Sequence, residues 1–296
     1  MGIAVDATKI PAPIFERSPG YWTTVSRRFL RDPVAVAAAL VVLLLVLLAI
    51  FGPYITPADP MKSSMLNRLK PIGTDGYPLG SDELGRDMLS RLMMGARLSL
   101  FMGITPVLAA FVLGSALGIL AGYAGGRLNT VIMRTIDVFY AFPSVLLAIA
   151  LSGALGAGIF NALLSLTIVF IPPIARVAES VTTQARGRDF VEAARASGAH
   201  AFTIVRVHVL GNVLGPIFVY ATSLIAVSMI LASGLSFLGL GVRPPEPEWG
   251  LMLNTLRTAI YTQPWIAALP GVMIFITSIS FNMLSDGLRS AMDVKQ

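Results

Sequence analysis

Ionisable residues of both signs are closely spaced at residues 82–97, DELGRDMLSRLMMGAR. Three acids and three arginines are interleaved within it: Asp82, Glu83, Asp87, Arg86, Arg91 and Arg97. Neighbouring carboxylates can act as general acid and general base in catalysis. Acids interleaved with arginines are also the ordinary pattern of an ion-paired amphipathic helix outside a membrane. We favour this structural role, because arginines accompany all three acids.

No other pattern in the sequence favours catalysis. The chain lacks a GxxxxGK[ST] phosphate loop, so we do not expect it to hydrolyse ATP itself, and it lacks an HExxH zinc motif. It contains no cysteine, which excludes disulfides and thiolate nucleophiles. The two histidines, His200 and His208, are eight residues apart, and a metal pair is not expected from them. We predict no metal site and no cofactor held by this chain.

A second charged stretch, residues 189–212, reads DFVEAARASGAHAFTIVRVHVLGN and predicts a helical hairpin. Asp189 and Glu192 resemble a helix start in which the first side chain caps the helix and the second acid folds back. Gly198 suits the helix stop. Beyond it, three apolar residues share one helical face: Phe202, Val205 and Val209. Such a hairpin either docks a partner or serves as a solvated linker.

The composition places both stretches in a membrane protein. The chain of 296 residues is 55% hydrophobic and only 13% charged, and its mean hydropathy is +0.76. An ordinary soluble domain has about 25% charged residues. The net charge of +6 does not indicate nucleic-acid binding, because the basic residues are scattered among apolar segments rather than grouped with aromatic ones. We therefore predict an all-α, polytopic membrane protein.

Six apolar segments are long enough to cross a bilayer, which needs roughly 20 helical residues. They are Val34–Gly52, Leu98–Gly122, Val138–Gly156, Ala162–Ile174 with an extension towards Ala178, Val213–Phe237 and Ile266–Leu284. The fourth is the weakest, because Pro172 and Pro173 interrupt it. The six segments as drawn contain no Asp, Glu, Lys, Arg or His. Carriers driven by protons or ions usually place such groups inside the bilayer, so this absence argues against one.

The orientation follows from the basic residues. Fourteen of the 22 Lys and Arg residues fall on the side of the N-terminus, which predicts that both termini are cytoplasmic. Before the first span, Trp22, Val25 and Phe29 share one face of a basic segment that we expect to form an interfacial helix. We divide the chain into a cytoplasmic tail with this helix, a first span with an external loop, and a five-helix core containing the hairpin at about 186–212. These parts cover residues 1–33, 34–97 and 98–296.

The spans carry few polar side chains that could contact a solute. Ser228, Ser233 and Asn282 are the candidates for a substrate pathway, although hydroxyl and amide groups in spans also serve helix packing. Gly114 and Gly118 form a GxxxG pattern typical of closely packed helices. The proline-rich external loop at 239–266 is either a contact at the outer mouth or a rigid connector.

Several long stretches, in order, resemble the permease subunits of binding-protein-dependent ABC importers of the dipeptide/oligopeptide/nickel group, and within it the C-type subunit of the permease pair. The stretches are RRFLRDP before the first span, PLGSDELGRDMLSRLMMGARLSL at 78–100, RTIDVFYAFPSVLLAIAL at 134–151, LSFLGLGVRPPEPEWGLML at 235–253 and FNMLSDGLRSAMD at 281–293. The hairpin resembles the EAA motif of this family through Glu192, Ala193, Ala194 and Gly198. Gly211 departs from the family, which usually has proline there. This departure predicts a looser exit from the hairpin.

The resemblance implies a type I ABC importer permease fold in the cell inner membrane. It implies that the hairpin couples to an ATPase through Asp189, Phe190, Glu192, Ala193, Ala194, Arg195, Gly198 and Phe202. The implied partners are a second homologous permease, two ATPase subunits that bind ATP–Mg, an extracytoplasmic substrate-binding protein and the lipid bilayer, with no nucleic acid. The implied substrates are dipeptides or oligopeptides. Nickel, glutathione or another small solute is the alternative within the family, and a stand-alone secondary carrier or a membrane enzyme is the alternative outside it.

Overall fold

A computed structural model of the chain describes residues 20–292. Within this range the only β pairings are two isolated bridges, from Thr74 to Tyr77 and from Ser81 to Asp87. All other regular structure there is helical, which confirms the all-α prediction. The first 19 residues of the predicted cytoplasmic tail lie outside the described residues.

Eleven α-helices are found in the described part of the chain. Their bounds are α1 Tyr21–Arg31, α2 Pro33–Ile55, α3 Met88–Ala124, α4 Gly126–Tyr140, α5 Ser144–Leu155, α6 Ile159–Arg186, α7 Asp189–Ala196, α8 Ala201–Thr203, α9 Leu210–Phe237, α10 Trp249–Thr255 and α11 Pro264–Met292. Two 3₁₀ turns, Met65–Asn67 and Ala259–Tyr261, lie in the loops. A π-helix, Ile204–Val209, joins α8 to α9.

The first span begins where its sequence predicts. Asp32 caps α2, since its carboxylate accepts hydrogen bonds from the backbone N–H groups of Val34 at 3.0 Å and Ala35 at 3.2 Å. Pro33 occupies the first helical position, where its missing N–H costs nothing. The 23 residues of α2 extend about 35 Å, which is enough to cross a bilayer. Before it, the predicted basic helix is present as α1, and it packs through Val25.

Five stretches of continuous helix in the described chain are long and apolar enough to span a membrane: α2, α3, α6, α8 to α9 and α11. The sixth candidate is a bent pair, because α4 and α5 meet at 87° and count as one span only if they cross together. The segment predicted at Val138–Gly156 contains this break, so it is not one continuous helix. Pro143 explains the bend, because proline lacks an N–H and forces the residue before it away from helical geometry. Conversely, α6 continues through Pro172 and Pro173.

The helices extend beyond the apolar segments drawn from sequence, and they include charged residues. Asp137 lies in α4, and Arg176 and Glu179 lie in α6. A guanidinium nitrogen of Arg176 is 2.6 Å from a carboxylate oxygen of Asp137. The expectation of spans without ionisable groups is thus wrong for the complete helices, because hydropathy marks the apolar part of a helix and not its ends.

The longest helices, α3 and α6, pack side by side through small residues. A Cβ atom added at Gly118 would overlap the backbone carbonyl of Ala175, and one added at Gly122 would overlap that of Glu179. Glycine at these positions lets the two backbones approach closely, as in other membrane helix pairs. The predicted GxxxG contact is therefore present, and it fixes α6 against the centre of the bundle.

The acid and arginine stretch is a buried network and not an exposed amphipathic helix. Asp82 precedes α3, and its carboxylate is 2.7 Å from Arg86 and 3.4 Å from Arg91, all three being buried. Arg91 also donates hydrogen bonds to the backbone carbonyls of Pro60 at 3.0 Å and Pro245 at 3.4 Å. The ion pairing is as predicted, but two loops cover it. The network joins these loops to the start of α3.

The loop between α9 and α11 packs into the bundle through α10. The indole of Trp249 is fully buried, and its N–H donates a hydrogen bond to the backbone carbonyl of Leu92 at 3.0 Å. Glu248 caps α10 by accepting hydrogen bonds at 2.8 Å from the backbone N–H groups of Gly250 and Leu251. Burial raises the pKa of Glu248 above its usual range, against the lowering effect of these N–H groups. The loop is therefore an integral part of the bundle.

Candidate functional site

The hairpin predicted at about 186–212 lies between the end of α6 and the start of α9. Its first arm, α7, has eight residues and is anchored by Val191, which is fully buried. On the same inner side, the ring of Phe190 lies 6.4 Å from the imidazole of His208 in the second arm. The two arms therefore pack against each other and against the bundle.

The start of α7 differs from the predicted capping box. Arg188 occupies the capping position in extended conformation and makes no side-chain cap hydrogen bond. Asp189 is instead the first helical residue, and Glu192 follows in the same turn. Both acids therefore stabilise the helix through its dipole, a contribution of about 0.3–1 kcal/mol each, and not by capping a backbone N–H. The predicted capping box is absent because α7 begins one residue earlier than the sequence pattern indicated.

The end of α7 is as predicted. Gly198 has a φ of +77°, a conformation that favours glycine. Its N–H donates to the carbonyl of Arg195 at 3.0 Å, and the N–H of Ala199 donates to that of Ala194 at 3.1 Å. These two bonds form a Schellman motif, which satisfies carbonyl groups that the helix end leaves without partners. The turn at the tip of the hairpin is thus a defined structure.

The outward surface of the hairpin combines a small-residue helix face with an exposed ring. Glu192, Ala193 and Ala196 are exposed on α7, and Phe202 is 74% exposed just beyond the turn. Phe202 was predicted to share one helical face with Val205 and Val209, but it is exposed whereas Val205 is partly buried and Val209 is fully buried. We call Glu192, Ala193, Ala196 and Phe202 the outer face of the hairpin.

The buried residues of the second arm are Ile204 and Val209, five residues apart. A π-helix has more residues per turn than an α-helix, so it places this spacing on one side and turns Phe202 outwards. The wider repeat is the reason that the α-helical pattern misplaced Phe202. The apolar residues Ile204 and Val209, five positions apart, were the feature of the sequence that could have indicated the π-helix.

Six of the eight residues predicted for ATPase coupling are exposed: Asp189, Glu192, Ala193, Arg195, Gly198 and Phe202. The other two, Phe190 and Ala194, are partly buried against the core. Sequence reasoning missed Ala196, which lies one turn after Glu192 on the same face, and Val191, which anchors the helix. The spacing of four from Glu192 could have identified Ala196.

Charge on the hairpin is available for a partner. Residues 186–212 contain four arginines and two acids. All of these residues are described, and no salt bridge within the chain involves either Glu192 or Arg195. Since both side chains are exposed, a partner of complementary charge can pair with them without breaking an existing contact.

The exit from the hairpin is helical. Gly211 is the second residue of α9, two positions after the π-helix ends, and the side-chain amide of Asn212 donates to the backbone carbonyl of His208 at 2.7 Å. Glycine in a helix costs about 1 kcal/mol relative to alanine, so this position is weaker than its neighbours without being a break. The second arm is thereby continuous with a membrane-spanning helix.

The three pathway candidates lie in different surroundings. Ser228 and Ser233 of α9 are buried, and the hydroxyl of Ser228 has no hydrogen-bond partner. Asn282 of α11 is exposed. Ser228 and Ser233 are therefore covered by the chain itself in this conformation, whereas Asn282 is accessible and stays a pathway candidate.

Residues 114–295 match the family described as the binding-protein-dependent transport system inner membrane component. This match covers more than half of the chain and agrees with the helical fold. The chain therefore belongs to that family. It is a multi-pass inner-membrane permease subunit of an ABC importer, a transport protein and not an enzyme. Residues 20–71 match a second family, the N-terminal transmembrane domain of oligopeptide transport permease C. The chain is therefore of the C type that the sequence resembles.

Among curated proteins, the glutathione transport system permease protein GsiD of Pectobacterium atrosepticum is 43% identical over 93% of this chain and 91% of its own length. The GsiD protein of Escherichia coli O157:H7 is 41% identical over 98% of this chain and 95% of its own length. The di/tripeptide transport system permease protein DppC of Pseudomonas aeruginosa is 38% identical over 96% of this chain and 93% of its own length.

The fold is also found among solved structures. An inward-facing structure of the MetNI methionine ABC transporter aligns with a TM-score of 0.58 at 20% sequence identity. The alignment covers 69% of this chain and 97% of that chain. This similarity supports the type I importer permease fold.

Proposed function

We propose that this chain forms one half of the translocation pathway in an importer of small peptides, including glutathione, and that a second, homologous permease forms the other half. The substrate proposal is supported by relatives that are named as glutathione and di/tripeptide permeases. Glutathione is itself a tripeptide, so both names describe the same chemical class. No group of three or more metal-ligating side chains occurs in the described residues, and nickel is therefore the less favoured cargo.

The observation that carries the coupling role is the hairpin. Its turn is fixed by a Schellman motif, its first arm is anchored by Val191, and its second arm continues into α9. A force applied to the outer face is thus transmitted to a spanning helix and not absorbed by a loop. This is the mechanical property that alternating access requires of a coupling element.

The hairpin is proposed to lie in the cytoplasm. Four spans precede it, namely α2, α3, the α4–α5 pair and α6, so it is on the same side as the N-terminus. The excess of basic residues on that side favours the cytoplasm. In this arrangement, two ATPase subunits bind ATP–Mg and grip one hairpin each, while this chain holds no cofactor. An extracytoplasmic binding protein delivers the peptide to the opposite side.

Purification of the tagged chain from its native membrane tests this assembly. We expect a second permease and ATPase subunits to copurify, at one copy of this chain per complex, with ATP hydrolysis by the complex. Mass spectrometry of the intact complex gives the composition. A chain that purifies alone and transports solute without ATP would be a secondary carrier, and a chain that turns over a substrate alone would be an enzyme. Either result contradicts the proposal.

A further inference from the structure

A half-exposed ion pair joins two of the membrane-spanning elements. The carboxylate of Asp137 in α4 lies 2.6 Å from the guanidinium of Arg176 in α6, and the two side chains are 36% and 47% exposed. The same guanidinium lies 4.7 Å from the centre of the Tyr140 ring, within cation–π distance. Anion, cation and aromatic ring therefore share one accessible surface.

This surface belongs to the membrane-spanning part of the chain. Asp137 lies within the bent span, and Arg176 lies 17 residues after the start of α6, about 25 Å along the helix. Charged side chains in spans face other proteins or water-filled cavities, because exposure to lipid is costly. A pair that this chain leaves half open therefore indicates a passage or an opposing subunit, and not a lipid contact.

A cleft of about 270 Å³ adjoins the pair at the break between α4 and α5. Tyr140 lines this cleft and also contacts Arg176, so the charged surface and the cleft are continuous. The other lining residues include Phe142, Ser144 and Pro172. Broken membrane helices are common at the substrate sites of transporters, because the break exposes polar backbone to a cavity.

A backbone acceptor lies at the cleft. Pro173 lacks an N–H, so the carbonyl group of Val169 loses its usual helical donor, and Val169 lines the cleft. Asp137 can accept hydrogen bonds from an ammonium group, whereas Arg176 can donate to a carboxylate.

We propose that Asp137, Tyr140 and Arg176 line the translocation pathway and bind the oppositely charged ends of a zwitterionic peptide as it passes. The inference rests on the proposed function and names the surface that contacts the substrate. The peptide ammonium pairs with Asp137 and the ring of Tyr140, and the peptide carboxylate pairs with Arg176. A partly exposed ion pair is weak, so a passing peptide can open it and leave again.

A purely structural role for the pair makes a different prediction. If it only braces α4 against α6, exchanging the two charges should preserve its function. A surface that binds a peptide in one orientation should not tolerate the exchange. Arg134 also lies 3.7 Å from the Asp137 carboxylate, so an arginine at position 137 would meet a like charge. The exchange Asp137→Arg with Arg176→Asp is therefore made together with Arg134→Gln and compared with Arg134→Gln alone, which separates the two roles.

The test uses the complete complex in proteoliposomes, with labelled dipeptide and its loaded binding protein. We expect Arg176→Gln and Asp137→Asn each to lower uptake about tenfold or more, with ATPase stimulation by the loaded binding protein retained, and the exchanged pair to remain inactive. Arg127→Gln, an exposed change on α4, is the matched control. Unchanged uptake in both single variants, or recovery in the exchanged pair, overturns the inference. Wild-type complex that imports no peptide contradicts the proposed function instead.

A second measurement does not depend on the stability of these variants. Because the chain has no cysteine, Ser144→Cys introduces one thiol into the cleft of this subunit. We expect a membrane-impermeant maleimide to label it in the assembled complex, and saturating dipeptide to slow the labelling at least about threefold. Val112→Cys, on an exposed apolar position of α3, should stay unlabelled. A Ser144→Cys thiol that is never labelled, or is labelled at the same rate with peptide, overturns the inference.

Discussion

Replacing Glu192 with lysine is expected to lower peptide uptake about tenfold or more, while the complex still assembles and hydrolyses ATP. Glu192 is exposed on the outer face of the hairpin and forms no salt bridge with any residue from 20 to 292. Lysine in the first turn of α7 opposes the helix dipole by only about 0.3–1 kcal/mol, so the hairpin should stay folded. Loss of a desolvated charge pair with a partner costs about 2–5 kcal/mol. Uptake and ATPase activity measured on the same proteoliposomes separate the two effects.

The control for this variant is Thr130→Lys, which introduces a lysine at an exposed position of α4 outside the hairpin and changes the charge by one unit rather than two. It should leave uptake near the wild-type level. Wild-type uptake in Glu192→Lys, or an equal loss in both variants, would refute the coupling role of the outer face. Disappearance of the whole complex from the membrane would instead identify Glu192 as a folding residue.

Replacing Trp249 with alanine is expected to destabilise the subunit by about 3–5 kcal/mol, the usual cost of removing a large buried aromatic side chain. Its indole is fully buried and donates a hydrogen bond to the carbonyl of Leu92 in α3. The change therefore leaves a cavity and removes a hydrogen bond to α3 where α10 meets the bundle. Thermal unfolding of the purified complex measures the loss.

Trp265→Ala provides the matched comparison. Trp265 is 78% exposed at the start of α11, so its removal should change stability by no more than about 0.5 kcal/mol in detergent. Equal melting temperatures for the two variants would contradict the description of the loop between α9 and α11 as part of the bundle. A rigid but unpacked connector would give that result.

The spans were predictable from sequence because hydropathy and helix length depend on local composition. The start of α2 has Asp32 and Pro33, and the end of α7 is followed by Gly198, as the local chemistry of these residues predicts. Neither helix end needs a contact with distant residues. The bend between α4 and α5 also has a local cause in Pro143. It was missed because a hydropathy window treats Val138–Gly156 as one segment, whatever its direction.

Other features depend on contacts between distant residues and could not be obtained from a single sequence. The pattern around Asp82 predicts ion pairs, but only the loops that carry Pro60 and Pro245 make them buried. The exposure of Phe202 depends on the π-helix that follows it. The hydrogen bonds of a π-helix reach one residue further along the chain than those of the predicted α-helix. The Asp137 to Arg176 pair joins residues 39 positions apart, and neither residue suggests the other.

The most direct test of the coupling role is a photo-cross-link from the outer face of the hairpin to an ATPase subunit. The cysteine-free chain permits Ala196→Cys on α7, with Thr130→Cys on α4 as the comparison. In native membranes, a benzophenone maleimide attached to the introduced thiol needs no cysteine on the partner. After illumination, Ala196→Cys is expected to give a product containing this chain and an ATPase subunit, and ATP should change its yield. Thr130→Cys should give much less. No product from Ala196→Cys, or equal yields at the two positions, would contradict the assignment of the hairpin as the ATPase-docking element.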